Sequence, residues 1–344
     1  MAEIKPNIDT NRKKLADIVP LEAPFTVYIE QTRVCNLKCY YCIHSTRDEK
    51  DGPFKKLGYD IKHMHFDDFL KVINDLTEFP HGSIKKICFS GLGEPLTNPR
   101  LPEMIKITSE KKIADRIEII TNGLLLTPKL TNALIDAGIT AINISIQGNN
   151  AQYYEEVCKK KINFESFLEN LKYLYQNKKQ ATIYIKAVDA TFKTKEDETK
   201  FFEIFSPFAD RIYVEHIIPM HTQHNADFAD QLDTQLDFYG RPIEMKSDIC
   251  CQSFYLLQIG CDLDIFPCPD PGLDRVLSLG NAKKKTLKEI WNGKKRKLHL
   301  KKMLQFKRNE IPVCKDCQTF FICVNDPAEF LDNDASNLLK LFGD

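Results

Sequence analysis

The sequence has no run of about 18 apolar residues, so no membrane-spanning helix is expected. Its N-terminus, MAEIKPNIDTNRKKLADIVP, lacks the apolar stretch of a signal peptide. There is no low-complexity tract and no repeat beyond an alternation of strand and helix patterns. Net charge is absent too: 48 Lys and Arg balance 48 Asp and Glu, which argues against wrapping nucleic acid as the main task. Together these absences lead us to expect a cytoplasmic globular protein with no membrane partner. Its 344 residues, 43% of them hydrophobic, suffice for two domains, or for one barrel with an appendage.

What the chain does have is cysteine. Twelve stand at positions 35, 39, 42, 88, 158, 250, 251, 261, 268, 314, 317 and 323. A secreted disulfide scaffold would be shorter and would carry a signal peptide. In a reducing compartment, clustered cysteines read as metal ligands or redox groups. Three fall between Cys35 and Cys42 and seven between Cys250 and Cys323, so two metal sites are expected.

From about 24 to 217, short apolar segments alternate with helical patterns. Strands are expected over 25–31, 84–90, 116–121, 141–146, 181–188 and 211–217. Helices are expected over 66–79, 105–112, 128–137, 164–176 and 196–208. Gly138 is placed to end the third of these. Six such units imply a parallel sheet with right-handed crossovers and an α/β fold. A closed barrel needs eight units, so six suggest an open, partial barrel. Ligands then bind at the C-terminal ends of the strands. Residues 218–249 look irregular. Residues 286–306 read as one basic helix, and the tail after Asp326 is short and acidic.

The first strand runs into CNLKCYYC, a Cys35-x3-Cys39-x2-Cys42 loop. Three thiolates on one tight loop can hold three irons of a [4Fe–4S] cube and leave the fourth open to a substrate or cofactor. A structural zinc site is the rival; it wants four ligands, and His44 is the available fourth. The next three strands run into SGLGEP (90–95), TNG (121–123) and SIQG (145–148). Glycines there let a ligand approach the backbone closely. Each element taken singly is an ordinary strand-to-helix turn, but four share one end of the sheet.

In order and spacing, these four motifs resemble the radical S-adenosylmethionine (radical SAM) enzymes over roughly 25–217. The resemblance implies a partial (β/α)6 TIM-like barrel over 24–235, preceded by an extension over 1–23. It implies Cys35, Cys39 and Cys42 as ligands of a [4Fe–4S] cluster whose open iron is chelated by S-adenosylmethionine. One electron then cleaves the sulfonium to methionine and a 5′-deoxyadenosyl radical, which abstracts a hydrogen atom. By position, Tyr41 lies against the adenine, Gly93 and Glu94 receive the methionine amine, and Ser145 meets the ribose. Two departures stand out: Leu92 replaces the usual first glycine of GGEP, and Gln147 stands where relatives carry Asp.

The C-terminal cysteines, with DLDIFPC, LSLGN and LKEIWNG around them, resemble the auxiliary-cluster region called SPASM, or its shorter twitch form. This implies a small iron–sulfur domain over 245–330, a tail over 331–344, and one auxiliary [4Fe–4S] cluster on Cys250, Cys268, Cys314 and Cys317. Cys251 is the alternative to Cys250, and zinc at the same four cysteines is the rival metal. Cys88 and Cys158 read as core or surface thiols; Cys261 and Cys323 have no assigned part. Four protein ligands leave no open iron, so the expected task is electron transfer, with a flavodoxin- or ferredoxin-type protein as reductant.

His216, His221 and His224 follow the sixth strand. His216, or Lys186 in the fifth strand, is a candidate to take the proton released when an alcohol is oxidised. Glu215 alternates with His216, so only one of the two points inward. Lys283–Arg308 holds twelve Lys and Arg and one acid, Glu289; it reads as a solvated face, or as a patch for an anionic partner. Only 34 residues precede Cys35, too few for the winged peptide-recognition domain of many peptide-modifying relatives. The expected substrate is therefore a small polar metabolite of sugar or cyclitol type. A peptide or protein maturase and a zinc-stabilised binding module are the alternatives.

Overall fold

A computed structural model of the chain describes residues 2–8, 12–218, 235–244, 246–270, 272–317 and 326–343. His221, His224 and Cys323 lie outside the described residues. Among the described residues, ten strands form one sheet: β1 (Glu3–Ile4), β2 (Thr26–Ile29), β3 (Ile84–Phe89), β4 (Ala114–Thr121), β5 (Ala141–Ser145), β6 (Thr182–Val188), β7 (Arg211–Glu215), β8 (Leu256–Ile259), β9 (Asp264–Phe266) and β10 (Gly280–Asn281).

Strands β2 to β7 pair in parallel and in sequence order. Right-handed crossovers between successive neighbours put every connecting helix on the same side, and the sheet curls into a partial barrel. The order never reverses, as a doubly wound sheet would require. The helices Phe66–Leu76, Leu101–Glu110, Pro128–Asp136, Phe164–Asn177 and Lys195–Phe205 fall close to the expected segments. Their starts follow local chemistry. Thr127 and Asn163 accept the backbone N–H three residues on, and Thr194 and Asp197 form a reciprocal capping box. Gly138 ends its helix at φ +91°, a conformation that costs a glycine little.

Strand alternation divides the sheet into two faces. Val27, Ile29, Ile87, Ile119, Ile144 and Ile185 share one core with Phe69, Leu101, Leu134, Phe167 and Phe201 of the helices. Each fully buried side chain of this size contributes roughly 2 kcal/mol. The intervening residues, Tyr28, Cys88, Glu118, Asn143, Lys186 and Glu215, face the opposite side and give the barrel a polar lumen.

Three features extend this frame. A short N-terminal strand, β1, pairs in parallel with β7, and Asn7 reaches Asn143 in the lumen at 3.4 Å. At the other edge β8 pairs in parallel with β2 and leads into antiparallel β9 and β10, so the C-terminal region continues the barrel sheet. The helix Ala151–Cys158 follows β5. The basic segment expected as one helix forms two, Leu287–Trp291 and Lys294–Leu304, divided at Gly293. A second core joins Leu15 and Val19 to Phe254, Leu300, Leu331 and Leu338, so the stretch 15–19 and residues after 330 pack with the C-terminal region.

Candidate functional site

The cysteine loop leaves β2 and is held by the loops that follow the next three strands. Glu94 N donates to Val34 O at 2.9 Å, Asn122 Nδ2 to Asn36 Oδ1 at 2.7 Å, and the Tyr41 hydroxyl to Gln147 Oε1. Gly93 lies against this loop so closely that a Cβ there would meet Thr32 O at 2.6 Å and Val34 O at 2.7 Å. Gly123 turns the TNG loop at φ +73°.

Glu94 is buried, and its carboxylate accepts from Leu96 N (3.0 Å), Thr121 Oγ1 (2.5 Å) and Asn122 N (2.7 Å). It latches the loop after β3 to the loop after β4. Burial raises its pKa to about 7 against the opposing pull of those three bonds. Gln147 donates to Ser145 O at 3.2 Å and receives Tyr41, tying the end of β5 to the cysteine loop. Ser145 pairs in register with Lys186.

Cys35, Cys39 and Cys42 are free thiols on this loop. Burial, with the neighbouring thiols adding to it, pushes Cys35 and Cys42 up to about 12. Among the described residues, no three His, Cys, Asp or Glu side chains converge on one point suited to a single ion. A zinc ion needs all its ligands about 2.0–2.3 Å from one point, whereas a [4Fe–4S] cube takes thiolates at separate corners. The half-buried thiol set on its tight loop fits the cube. His44 is buried, and that burial, followed by Arg47, lowers its pKa to about 4.

The second cysteine set lies in the C-terminal region, from Cys250 onward. Burial raises Cys250, Cys268 and Cys314; Asp270 follows at Cys268, Cys317 adds at Cys250, and Cys250 and Cys317 add at Cys268 and Cys314. The Cys250 sulfur faces the N–H groups of Gln252 and Ser253 and the Ser253 hydroxyl, donors that favour a thiolate. Arg308 donates to Cys314 O, and to Cys317 O at 3.4 Å, clamping that turn. Cys251 instead is fully buried in the second hydrophobic core. Cys261 is buried, with its sulfur 3.7 Å from Lys62 O.

The two candidates for proton transfer do not meet. Lys186 Nζ lies 2.6 Å from Glu215 Oε2, and the Tyr184 hydroxyl donates to Glu215 Oε1 at 3.0 Å, all on the lumen face. His216 has the opposite strand parity, and its Nδ1 lies 2.5 Å from Asp189 Oδ2. Glu215, the residue the alternation pitted against His216, is thus the one beside Lys186. Sequence reasoning read Cys158 as a core or surface thiol, and it is buried; its sulfur lies 3.5 Å from that of Cys39. No local pattern signals a contact across 119 positions.

The family model of the radical SAM superfamily matches residues 29–187, and that of the SPASM iron–sulfur cluster-binding domain matches 250–318. The chain is a radical SAM protein with a C-terminal SPASM domain. A radical SAM domain implies a [4Fe–4S] cluster and S-adenosylmethionine, and a SPASM domain implies auxiliary iron–sulfur chemistry. A probable GTP 3′,8-cyclase from Methanococcus maripaludis is 36% identical over 126 residues, 37% of this chain and 37% of that protein. The match thus spans little more than a third of that relative's length. Two solved structures share the fold of this radical SAM protein. Streptococcus suis SuiB bound to precursor peptide SuiA has a TM-score of 0.59 at 16% identity, covering 96% of this chain and 83% of that one. BtrN in complex with AdoMet and 2-DOIA has a TM-score of 0.52 at 17% identity, covering 85% and 92%.

Proposed function

We propose that this protein abstracts a hydrogen atom from a small polar metabolite of sugar or cyclitol type and oxidises or epimerises it. The observation that carries this reading is the polar inner face of the sheet, on the strands whose ends bear the motif loops. There Asn143, Ser145, Lys186 and Glu215 lie on adjacent strands. The relative named as a GTP 3′,8-cyclase, whose named substrate is small and polar, supports the same class. When bound, the cluster and S-adenosylmethionine supply a one-electron cleavage that leaves a 5′-deoxyadenosyl radical.

The chain's own residues supply the rest. Cys35, Cys39 and Cys42 hold the cluster. Gly93 gives the backbone close access, and Glu94 fixes the loops that meet the methionine end. Tyr41, tied to Gln147, forms the wall for the adenine, and Ser145 is the ribose contact. The Lys186–Glu215 pair offers a donor and an acceptor to a substrate hydroxyl inside the lumen. It is preferred to His216, which faces Asp189 on the other side of the strand. Cys250, Cys268, Cys314 and Cys317 would hold one auxiliary [4Fe–4S] cluster, whose chemistry there would be that of a one-electron acceptor. A flavodoxin- or ferredoxin-type protein provides the reducing electron. The clustered, ligand-spaced cysteines are in keeping with a reducing, cytoplasmic setting.

The test is anaerobic. Protein reconstituted with iron and sulfide is mixed with S-adenosylmethionine and a strong reductant, and 5′-deoxyadenosine is quantified by mass spectrometry. Wild type is expected to form it and C39A is not. Deuterated sugars and cyclitols then report the substrate by label transfer into 5′-deoxyadenosine. Label from a peptide alone would replace the small-metabolite reading with a maturase. Full product turnover by C317A would rule out the electron-acceptor role.

A further inference from the structure

Cys158 is buried at 1% exposure, and none of the functions above uses it. It is the last residue of the helix Ala151–Cys158, and Lys159 reverses the chain after it at φ 55°. The carbonyls at this helix end need partners. Two come from the cysteine loop: Lys38 N donates to Cys158 O and Tyr40 N to Val157 O, each at 3.0 Å. The two donors flank Cys39. Backbone bonds therefore hold Cys158 against Cys39, and the two sulfurs lie 3.5 Å apart.

The other two loop sulfurs have backbone donors. Cys35 faces the N–H of Leu37, and Cys42 the N–H of His44. The Cys39 sulfur faces its own backbone N–H and the side chains of Tyr41 and Cys158; its thiol donates to the Cys158 sulfur at 3.5 Å, and the Tyr41 hydroxyl is also engaged by Gln147. As an iron-bound thiolate Cys39 would have no proton to give, which leaves Cys158 to donate across the same contact. A thiol is a weak donor, but with an iron-bound thiolate beside it in a buried pocket it has an acceptor at hydrogen-bond range.

We infer that Cys158 is a positioning residue that donates its S–H to the Cys39 thiolate and thereby tunes the reduction potential of the cluster on this loop. Hydrogen bonds to cluster sulfurs stabilise the more negative, reduced state and raise the potential. The inference rests on the proposed ligand role of Cys35, Cys39 and Cys42.

The experiment compares the reconstituted full-length wild type, C158A and C158S. Iron content is measured first, then the midpoint potential by EPR-monitored titration. The signal perturbed by S-adenosylmethionine identifies the cluster concerned. Loss of the donor in C158A is expected to move the midpoint to a more negative value at unchanged iron content. Ser keeps a donor, so C158S is expected to stay near wild type. An unmoved midpoint in C158A overturns the inference. Equal shifts in C158A and C158S overturn it too, because packing would then be the cause. Loss of iron from both variants also overturns it, since a tuning donor is not needed to hold the cluster. Failure of the wild type itself to load iron at this loop would instead refute the ligand assignment.

Discussion

Gly93 and Glu94 do different work from neighbouring positions. At Gly93 the missing side chain lets the loop after β3 lie on the backbone of 32–34. The obstacles to a Cβ there are backbone atoms, which cannot swing aside. G93A is therefore expected to lose about 1–3 kcal/mol of stability, as overpacking does, and to displace the cysteine loop. Thermal unfolding and iron bound on reconstitution measure both effects. Glu94 is a latch with three donors on its carboxylate. E94A leaves buried donors unpaired, at about 1–3 kcal/mol each. E94Q keeps an acceptor oxygen and is expected to fall between wild type and E94A in a urea titration. The SGLGEP spelling was legible as a ligand-approach motif. That its glutamate is consumed by Thr121 and Asn122 was not, because those partners come from the next strand.

At the scale of elements, the basic stretch 283–308 separates into parts that composition merges. Gly293 lies so close to the preceding helix that a Cβ would meet Glu289 O at 2.9 Å, and the chain restarts as Lys294–Leu304. The inward face of that helix carries Arg296, whose guanidinium stacks on Trp291 at 3.3 Å, and His299, whose Nε2 lies 3.2 Å from Ser253 Oγ. Burial and then Arg296 lower His299 from 6.5 to about 4. The unfolded chain takes up this proton near its ordinary pKa, while the fold resists until much lower pH. The contribution is complete above pH 6.5 and lost as pH falls toward 4. A shift of this size corresponds to roughly 3 kcal/mol. Urea unfolding at pH 7.5 and pH 5 is expected to show a smaller loss in H299Q than in wild type. Alternation of charge and apolarity marked a helix here, but which cations turn inward depends on the partner surface.

The whole molecule is joined by one buried ionic hub. Glu30 Oε1 lies 2.6 Å from Arg33 Nε and accepts from Cys261 N at 3.2 Å, and Glu30 Oε2 accepts from Leu92 N at 3.3 Å. Arg33 continues to Asp262 at 2.7 Å, which also meets Lys62 and Arg275. Barrel strand, motif loop and SPASM region thus share one pair of charges. The helix Leu287–Trp291 adds a second junction: Leu287 N donates to Asp75 on the helix Phe66–Leu76, and Trp291 Nε1 donates to Leu21 O. Removing one partner of a buried pair strands the other charge and costs about 3–5 kcal/mol. E30Q is expected to destabilise by an amount of that order. The double variant E30Q/R33M is expected to recover part of it, as a double-mutant cycle by denaturant unfolding would measure. With β8 continuing the barrel sheet, barrel and SPASM region are expected to unfold in one calorimetric transition.

The sequence by itself determined the six parallel strands, the connecting helices and the clustered thiols, because strand periodicity, capping residues and cysteine spacing act over a few residues. It also determined that SGLGEP, TNG and SIQG lie at one end of the sheet, since parallel crossovers return each strand to the same end. Only the tertiary structure decided what those side chains meet. Glu94 closes on Thr121 and Asn122, Lys186 pairs with Glu215 while His216 turns to Asp189, and Cys158 arrives beside Cys39. The strand LLQI of β8 carried too short an apolar run to declare its place beside β2. Pairing at an edge and contact between distant side chains depend on packing free energy summed over the whole chain, which local spacing does not encode.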